Sequence, residues 1–122
     1  MPVRIKSKDR IQGSVKPSDL NVETDLINLA DQDDDYIVEG AIDLRELADG
    51  DSVEIKVYVA VDGATQSLSD KMSLSGPLDI PVVRIPACTL PYNAKFRVTV
   101  TQTAGTLRTF YYCFIVQVME VI

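Results

Sequence analysis

Hydrophobic and polar residues alternate with a period of two through most of this chain, most clearly in Ser52-Val-Glu-Ile-Lys-Val-Tyr-Val-Ala-Val61. Val53, Ile55, Val57, Val59 and Val61 point one way and Glu54, Lys56, Tyr58 and Ala60 the other, as in an antiparallel strand buried on one face. Asp62-Gly63 follows at once, a dipeptide suited to a hairpin turn with positive φ, so a polar edge strand is expected to return beside it. Upstream, Tyr36 to Leu44 places Tyr36, Val38, Ile42 and Leu44 on one face, with Gly40 between them as a bulge or point of close approach. Asp43-Leu-Arg-Glu46 has capping-box spacing before Gly50, which predicts one helical turn between two strands. Thr24 to Leu29 reads as a shorter strand, followed by the acidic run Asp31-Gln-Asp-Asp-Asp35.

Pro77, Pro81, Pro86 and Pro91 punctuate the next segment. Proline cannot donate to a ladder, so an edge strand centred on Val82 to Ile85 is expected. Phe96, Val98 and Val100 alternate with Lys95, Arg97 and Thr99, and Ala104-Gly105 then leads into Thr109 to Ile122, which predicts a hairpin of the last two strands. In the final strand both faces are largely apolar: Phe110, Tyr112, Phe114, Val116 and Val118 on one, Tyr111, Cys113, Ile115, Gln117 and Met119 on the other. Such a strand is either covered twice or turns one face to another chain. The pattern as a whole predicts an all-β antiparallel β-sandwich, jelly-roll or immunoglobulin-like, with an extended N-terminal arm over residues 1–22 and the sandwich over residues 23–122.

Composition narrows the chemistry. The 122 residues hold no histidine. That removes serine–histidine and cysteine–histidine nucleophile pairs and the commonest zinc ligand. Residues 1–16 carry Arg4, Lys6, Lys8, Arg10 and Lys16 against Asp9, a net +4, which leaves −10 for the remainder of a chain at −6 overall. An acidic body repels phosphate backbones, so contact with nucleic acid is expected only through the arm. The start of the sequence has no apolar signal region, and the run Phe110 to Met119 falls short of the roughly 18 to 20 residues of a membrane span, so no membrane partner and synthesis in the cytoplasm are expected. Cys88 and Cys113 lack CxxC spacing and read as buried free thiols.

The acidic run lacks the glycine and the glutamate that close a calcium loop, and Asp49, Asp51 and Asp62 sit at turns that favour aspartate for backbone reasons. The six glycines are dispersed, so no phosphate-cradling loop is present. No catalytic residue, cofactor or metal is expected. Tyr58, Tyr92, Tyr111 and Tyr112 could form a ligand platform, but tyrosines in strands are ordinarily packed or half-buried, which is the expectation here. Tyr111, Ile115 and Met119, facing outward, would make a protein-interaction surface.

The stretch Val38-Glu-Gly-Ala-Ile-Asp-Leu-Arg-Glu-Leu-Ala-Asp-Gly-Asp-Ser-Val-Glu-Ile-Lys-Val-Tyr-Val-Ala-Val-Asp-Gly63, with Arg84-Ile-Pro86, Thr89-Leu90 and Val98-Thr-Val-Thr-Gln-Thr-Ala-Gly-Thr-Leu-Arg-Thr-Phe110, resembles small β-sandwich virion proteins of tailed viruses. The likeness spans about residues 24–122 and carries over no functional residue. It implies a virion structural protein, foremost a capsid decoration or cement protein bridging neighbouring subunits, with the major capsid protein or other virion proteins as partners. A tail or head–tail junction protein and a carbohydrate-binding module are the alternatives. The interface expected for the first reading comprises Arg4, Lys6, Lys8, Arg10 and Lys16 of the arm with Tyr111, Ile115 and Met119, in a homo-oligomer such as a trimer. Deleting residues 1–16 should then leave a folded domain that assembles less well.

Overall fold

Eight strands account for the alternating pattern: β1 (Val3–Val15), β2 (Thr24–Asn28), β3 (Tyr36–Asp43), β4 (Ser52–Ala60), β5 (Ser67–Ser75), β6 (Val82–Leu90), β7 (Lys95–Ala104) and β8 (Phe110–Val121). They come from a computed structural model that describes residues 2–122. Two four-stranded antiparallel sheets result, ordered β1-β8-β3-β6 and β2-β7-β4-β5. β1 pairs with β8, β2 with β7, β3 with β6 and β4 with β5. This is the connectivity of one long hairpin folded over on itself, which makes the sandwich a jelly roll and not an immunoglobulin-like fold.

The core lies between the sheets. β4 contributes Val53, Ile55, Val57 and Val59, β7 Phe96, Val98 and Val100, and β8 Phe110, Phe114, Val116 and Val118, all buried as the alternation predicts. Tyr36 is wholly buried, and its hydroxyl donates to the Ala94 carbonyl at 2.6 Å. Burial pushes its phenol up to about 12. Gly40 sits on the inner face of β3, where the β3–β6 register shifts. An added Cβ would collide with the Phe114 ring and come within 2.6 Å of the Cys113 carbonyl. Gly40→Ala should therefore lower stability by about 2 kcal/mol through overpacking, measured as a fall in the urea midpoint.

Four expectations change in the structure. β7 and β8 do not form a hairpin, because they lie in different sheets and residues 105–109 carry the chain across the sandwich. Residues 44–51 form turns instead of a helical turn: Asp43 accepts from the Arg45 amide, and Glu46 reaches across to the Thr109 amide instead of capping its own segment. The β4–β5 connection is a loop over residues 61–66, where Asp62 accepts from the amides of Ala64 and Thr65 and Gly63 has φ +79°, so Val61 ends in solvent, 74% exposed. The basic N-terminal segment is extended, and it lies as an edge strand of the sandwich. β1 pairs along β8, and its Ile11 and Val15 reach the core while residues 2–10 are all exposed.

The cysteines are free and half-buried. Cys88 packs against the core, whereas Cys113 alternates with the buried Phe114 and so faces outward. They occupy opposite sides of one sheet.

Candidate interaction face

The two outer faces of the sandwich differ in chemistry. On the β2-β7-β4-β5 sheet the outward side chains bind one another. Glu23, just before β2, accepts from the Tyr58 hydroxyl at 2.6 Å and from Thr99 at 2.7 Å, and Arg97 pairs with Asp25 at 2.7 Å. Burial pushes the Glu23 carboxyl up, but the hydrogen bonds from Tyr58 and Thr99 and the nearby Arg97 outweigh it, and Glu23 titrates below the usual range. A carboxylate held ionised in this way cannot act as a general acid near neutral pH. Burial moves the Cys88 thiol up, which keeps it in the un-ionised, weakly nucleophilic form.

A second polar cluster pins the crossing between the sheets. Asp51, 2% exposed, accepts from the Ala48 amide at 2.9 Å, the Thr106 amide at 3.0 Å and Arg108 Nε at 2.7 Å. Buried Gln102 donates to the carbonyls of Ala104 and Thr106 and accepts from the Arg108 amide. Among the described residues no buried side-chain nitrogen or oxygen, in this cluster or elsewhere, lacks a partner. Burial alone would raise the Asp51 carboxyl, yet the Ala48 and Thr106 amides and Arg108 hold it below its ordinary value.

A pH dependence follows from these depressed carboxylates. Their ionised forms stabilise the fold above the unfolded-state values of about 4, and the contribution is lost as pH falls through the lower folded-state values. With no histidine in the chain, stability should be flat from about pH 5.5 to 8 and fall below about pH 4, with a shallower fall for Asp51→Asn. Urea midpoints measured across that range check it.

The outer face of the β1-β8-β3-β6 sheet is built differently. Tyr111, Cys113, Ile115, Gln117 and Met119 of β8 run down its middle, each half-buried by its strand neighbours, and none belongs to the core. The register puts Ser14, Gln12, Arg10 and Lys8 of β1 beside Tyr111, Cys113, Ile115 and Gln117. On the other side β3 sets Asp43, Ala41, Glu39 and Ile37 beside the same residues. Two shallow depressions, of about 240 and 220 Å³, open on this face over Ala41 and Cys113. Among the described residues no strand packs across it.

The residues that the sequence marks out thus separate into groups. Lys8 and Arg10 lie on one face with Tyr111, Ile115 and Met119. Arg4 pairs with Glu120 at 2.6 Å on the opposite side, Lys6 falls at the β1 bulge near Asp33 at 3.8 Å, and Lys16 lies past the end of β1. Tyr111 is the most constrained of them: Arg45 stacks on its ring at 3.9 Å and its hydroxyl donates to Glu46. Glu39, Asp43 and Arg84 also belong to this face, and only the register reveals them. Among the described residues no three His, Cys, Asp or Glu side chains gather as a metal site, and in the acidic run Asp35 instead accepts from the Tyr92 amide.

No family model and no curated protein matches the chain. Among solved structures the chain is similar to the infectious bursal disease virus VP2 subviral particle, with a TM-score of 0.51 and 12% identity over 95% of this chain and 33% of that one. The Gx strain of the same virus gives 0.49 and 14% over 97% and 33%, and T=1 particles derived from it 0.47 and 13% over 95% and 32%. This chain spans about a third of the length of those chains. At such identity the likeness concerns the fold. The source of these structures is an animal virus, so the tailed-virus setting expected from the sequence has no counterpart among them.

Proposed function

We propose that this chain is a structural protein of a virus particle that acts by burying protein surface and catalyses no reaction. The observation that carries the reading is the uncovered β8 face, with Ile115 and Met119 along its middle and charges at its margins, on a jelly roll that resembles the VP2 fold over nearly the whole chain. A jelly roll closes its core without help, so an additional half-apolar sheet face is available to a neighbour. In the finer form of the proposal the protein resides in the virion as a decoration or cement protein, bridging neighbouring capsid subunits.

The test is co-sedimentation of the purified chain with shells that lack it, followed by electron microscopy of the pellets. Ordered density at fixed lattice positions, lost in an Ile115→Asp variant that still folds, would support the reading. Absence of the protein from every shell fraction would sink it.

A further inference from the structure

We infer that the outer face of the β1-β8-β3-β6 sheet receives a second copy of this chain, related by a two-fold axis that lies in the interface along β8. The inference rests on the reading of this face as an interface and names its occupant. Arg10, Ile115 and Glu39 form one row across β1, β8 and β3. Turning a copy by 180° about an axis along β8 sets β8 over β8 and exchanges the β1 and β3 sides. Ile115 then meets its own counterpart, and Arg10 of each copy lies over the partner's Glu39.

Neighbouring rows agree. Lys8, Gln117 and Ile37 form the next row, so the Lys8 stem crosses the partner's Ile37; Ser14, Tyr111 and Asp43 form another, which sets a hydroxyl over a carboxylate. At the far end Lys6 is at the bulge, while the Met119 amide donates to the Asp35 carbonyl, which puts the acidic run on the β3 side. The β1 side therefore presents Lys8 and Arg10, and the β3 side Glu39 and Asp43, with Arg45 paired to Asp43 and Arg84 on β6 beyond the overlapping strands. An axis across the strands would lay β1 on β1 and oppose like charges, whereas the axis along β8 opposes unlike ones.

Three further observations fit this arrangement. Among the described residues Arg10, Lys8 and Glu39 make no ion pair within the chain. The depression of about 220 Å³ bordered by Glu39, Ala41, Ile115 and Arg84 lies where the partner's β1 would descend, so an incoming Arg10 would reach Glu39 with Arg84 on the far side. An axis along β8 overlaps three strands of each copy, β1, β8 and β3, and leaves β6 outside. At about 4.8 Å per strand and about 3.4 Å per residue from Tyr111 to Met119 that is roughly 400 Å² of plane per copy. The pair would bury about 800 Å², the size of a weak, reversible interface.

Light scattering of the full chain across micromolar concentrations, beside Arg10→Glu, Glu39→Lys and the double variant, tests the arrangement. A dimer is expected, weakened about tenfold by either reversal, since each removes two exposed ion pairs, and restored by the double variant. A monomer at high micromolar concentration, a trimer, or a dimer indifferent to both reversals would overturn it. Sheets about 10 Å apart hold two Cys113 thiols too far apart for a disulfide, so a short bis-maleimide should join them instead. That cross-link should vanish in Cys113→Ser and persist in Cys88→Ser; linkage through Cys88 would overturn the arrangement without any charge variant having to fold. A monomer that still binds shells removes the two-fold pair and leaves the shell reading, and a dimer that binds none does the reverse.

Discussion

Deleting residues 1–16 is expected to abolish cooperative folding, whereas deleting residues 1–9 should leave a folded protein. β1 pairs with β8 from Val3 to Val15, and Ile11 and Val15 pack against the core. Removing the whole strand strips those two side chains from the core and turns β8, apolar on both faces, into an unprotected sheet edge. The combined loss of burial and ladder amounts to about 5 kcal/mol, comparable to the entire stability of a small domain. Residues 2–9 are all exposed. The shorter deletion should cost about 1.5 kcal/mol in ladder hydrogen bonds, with Ile11 still in place. Circular dichroism melts and gel filtration separate the cases, and a longer deletion that melts like the full chain would refute this account of β1. The arm inferred from charge alone would have been dispensable for folding; the paired strand is expected to be required.

Asp51→Ala should lower stability by about 3 kcal/mol and the melting temperature by about 10 °C. The substitution leaves the Ala48 and Thr106 amides and the Arg108 guanidinium without their acceptor. Arg108 retains some access to water, with its side chain 29% exposed, so the loss stays below that of a fully buried pair. Gly105 makes the site stricter. It has φ +89°, and a Cβ there would run into the Asp51 side chain. Asp51→Asn keeps one acceptor oxygen but aims an amide group at a donor, so it should lose about half as much. A calorimetric scan in which Asp51→Ala melts within 2 °C of the parent would show that the crossing does not need this carboxylate.

Alternation made β3, β4, β7 and β8 legible because each is buried on one face, and burial is what writes a period of two into a sequence. β1 escaped that logic. Its residues up to Arg10 are exposed on both faces, so nothing but the pairing with β8 selects their order. Periodicity also says nothing about which sheet a strand joins. Ala104-Gly105 suits a hairpin and a sheet crossing equally well, and what decides between them is Asp51, far away in sequence, bonded to Thr106 and Arg108. The outward set Tyr111, Ile115 and Met119 could be read from alternation within one strand. Its flanking charges could not, because Arg10 and Glu39 come into one row with Ile115 only through the register of three strands.

The nesting of the strand pairs also governs when the protein can fold during synthesis. β4 and β5 are neighbours in the chain and can pair as soon as both emerge, but β1 has no partner other than β8, and β3 has β6 on one side only until β8 has been made. Until then the ribosome holds a nascent chain whose Tyr36, Val38 and Ile42 have only half a core to enter. Sheets assembled from such distant partners form over milliseconds to seconds. During that interval β3 is exposed to any other chain able to pair with it, and holdase chaperones would be expected to act there, before the first sheet closes.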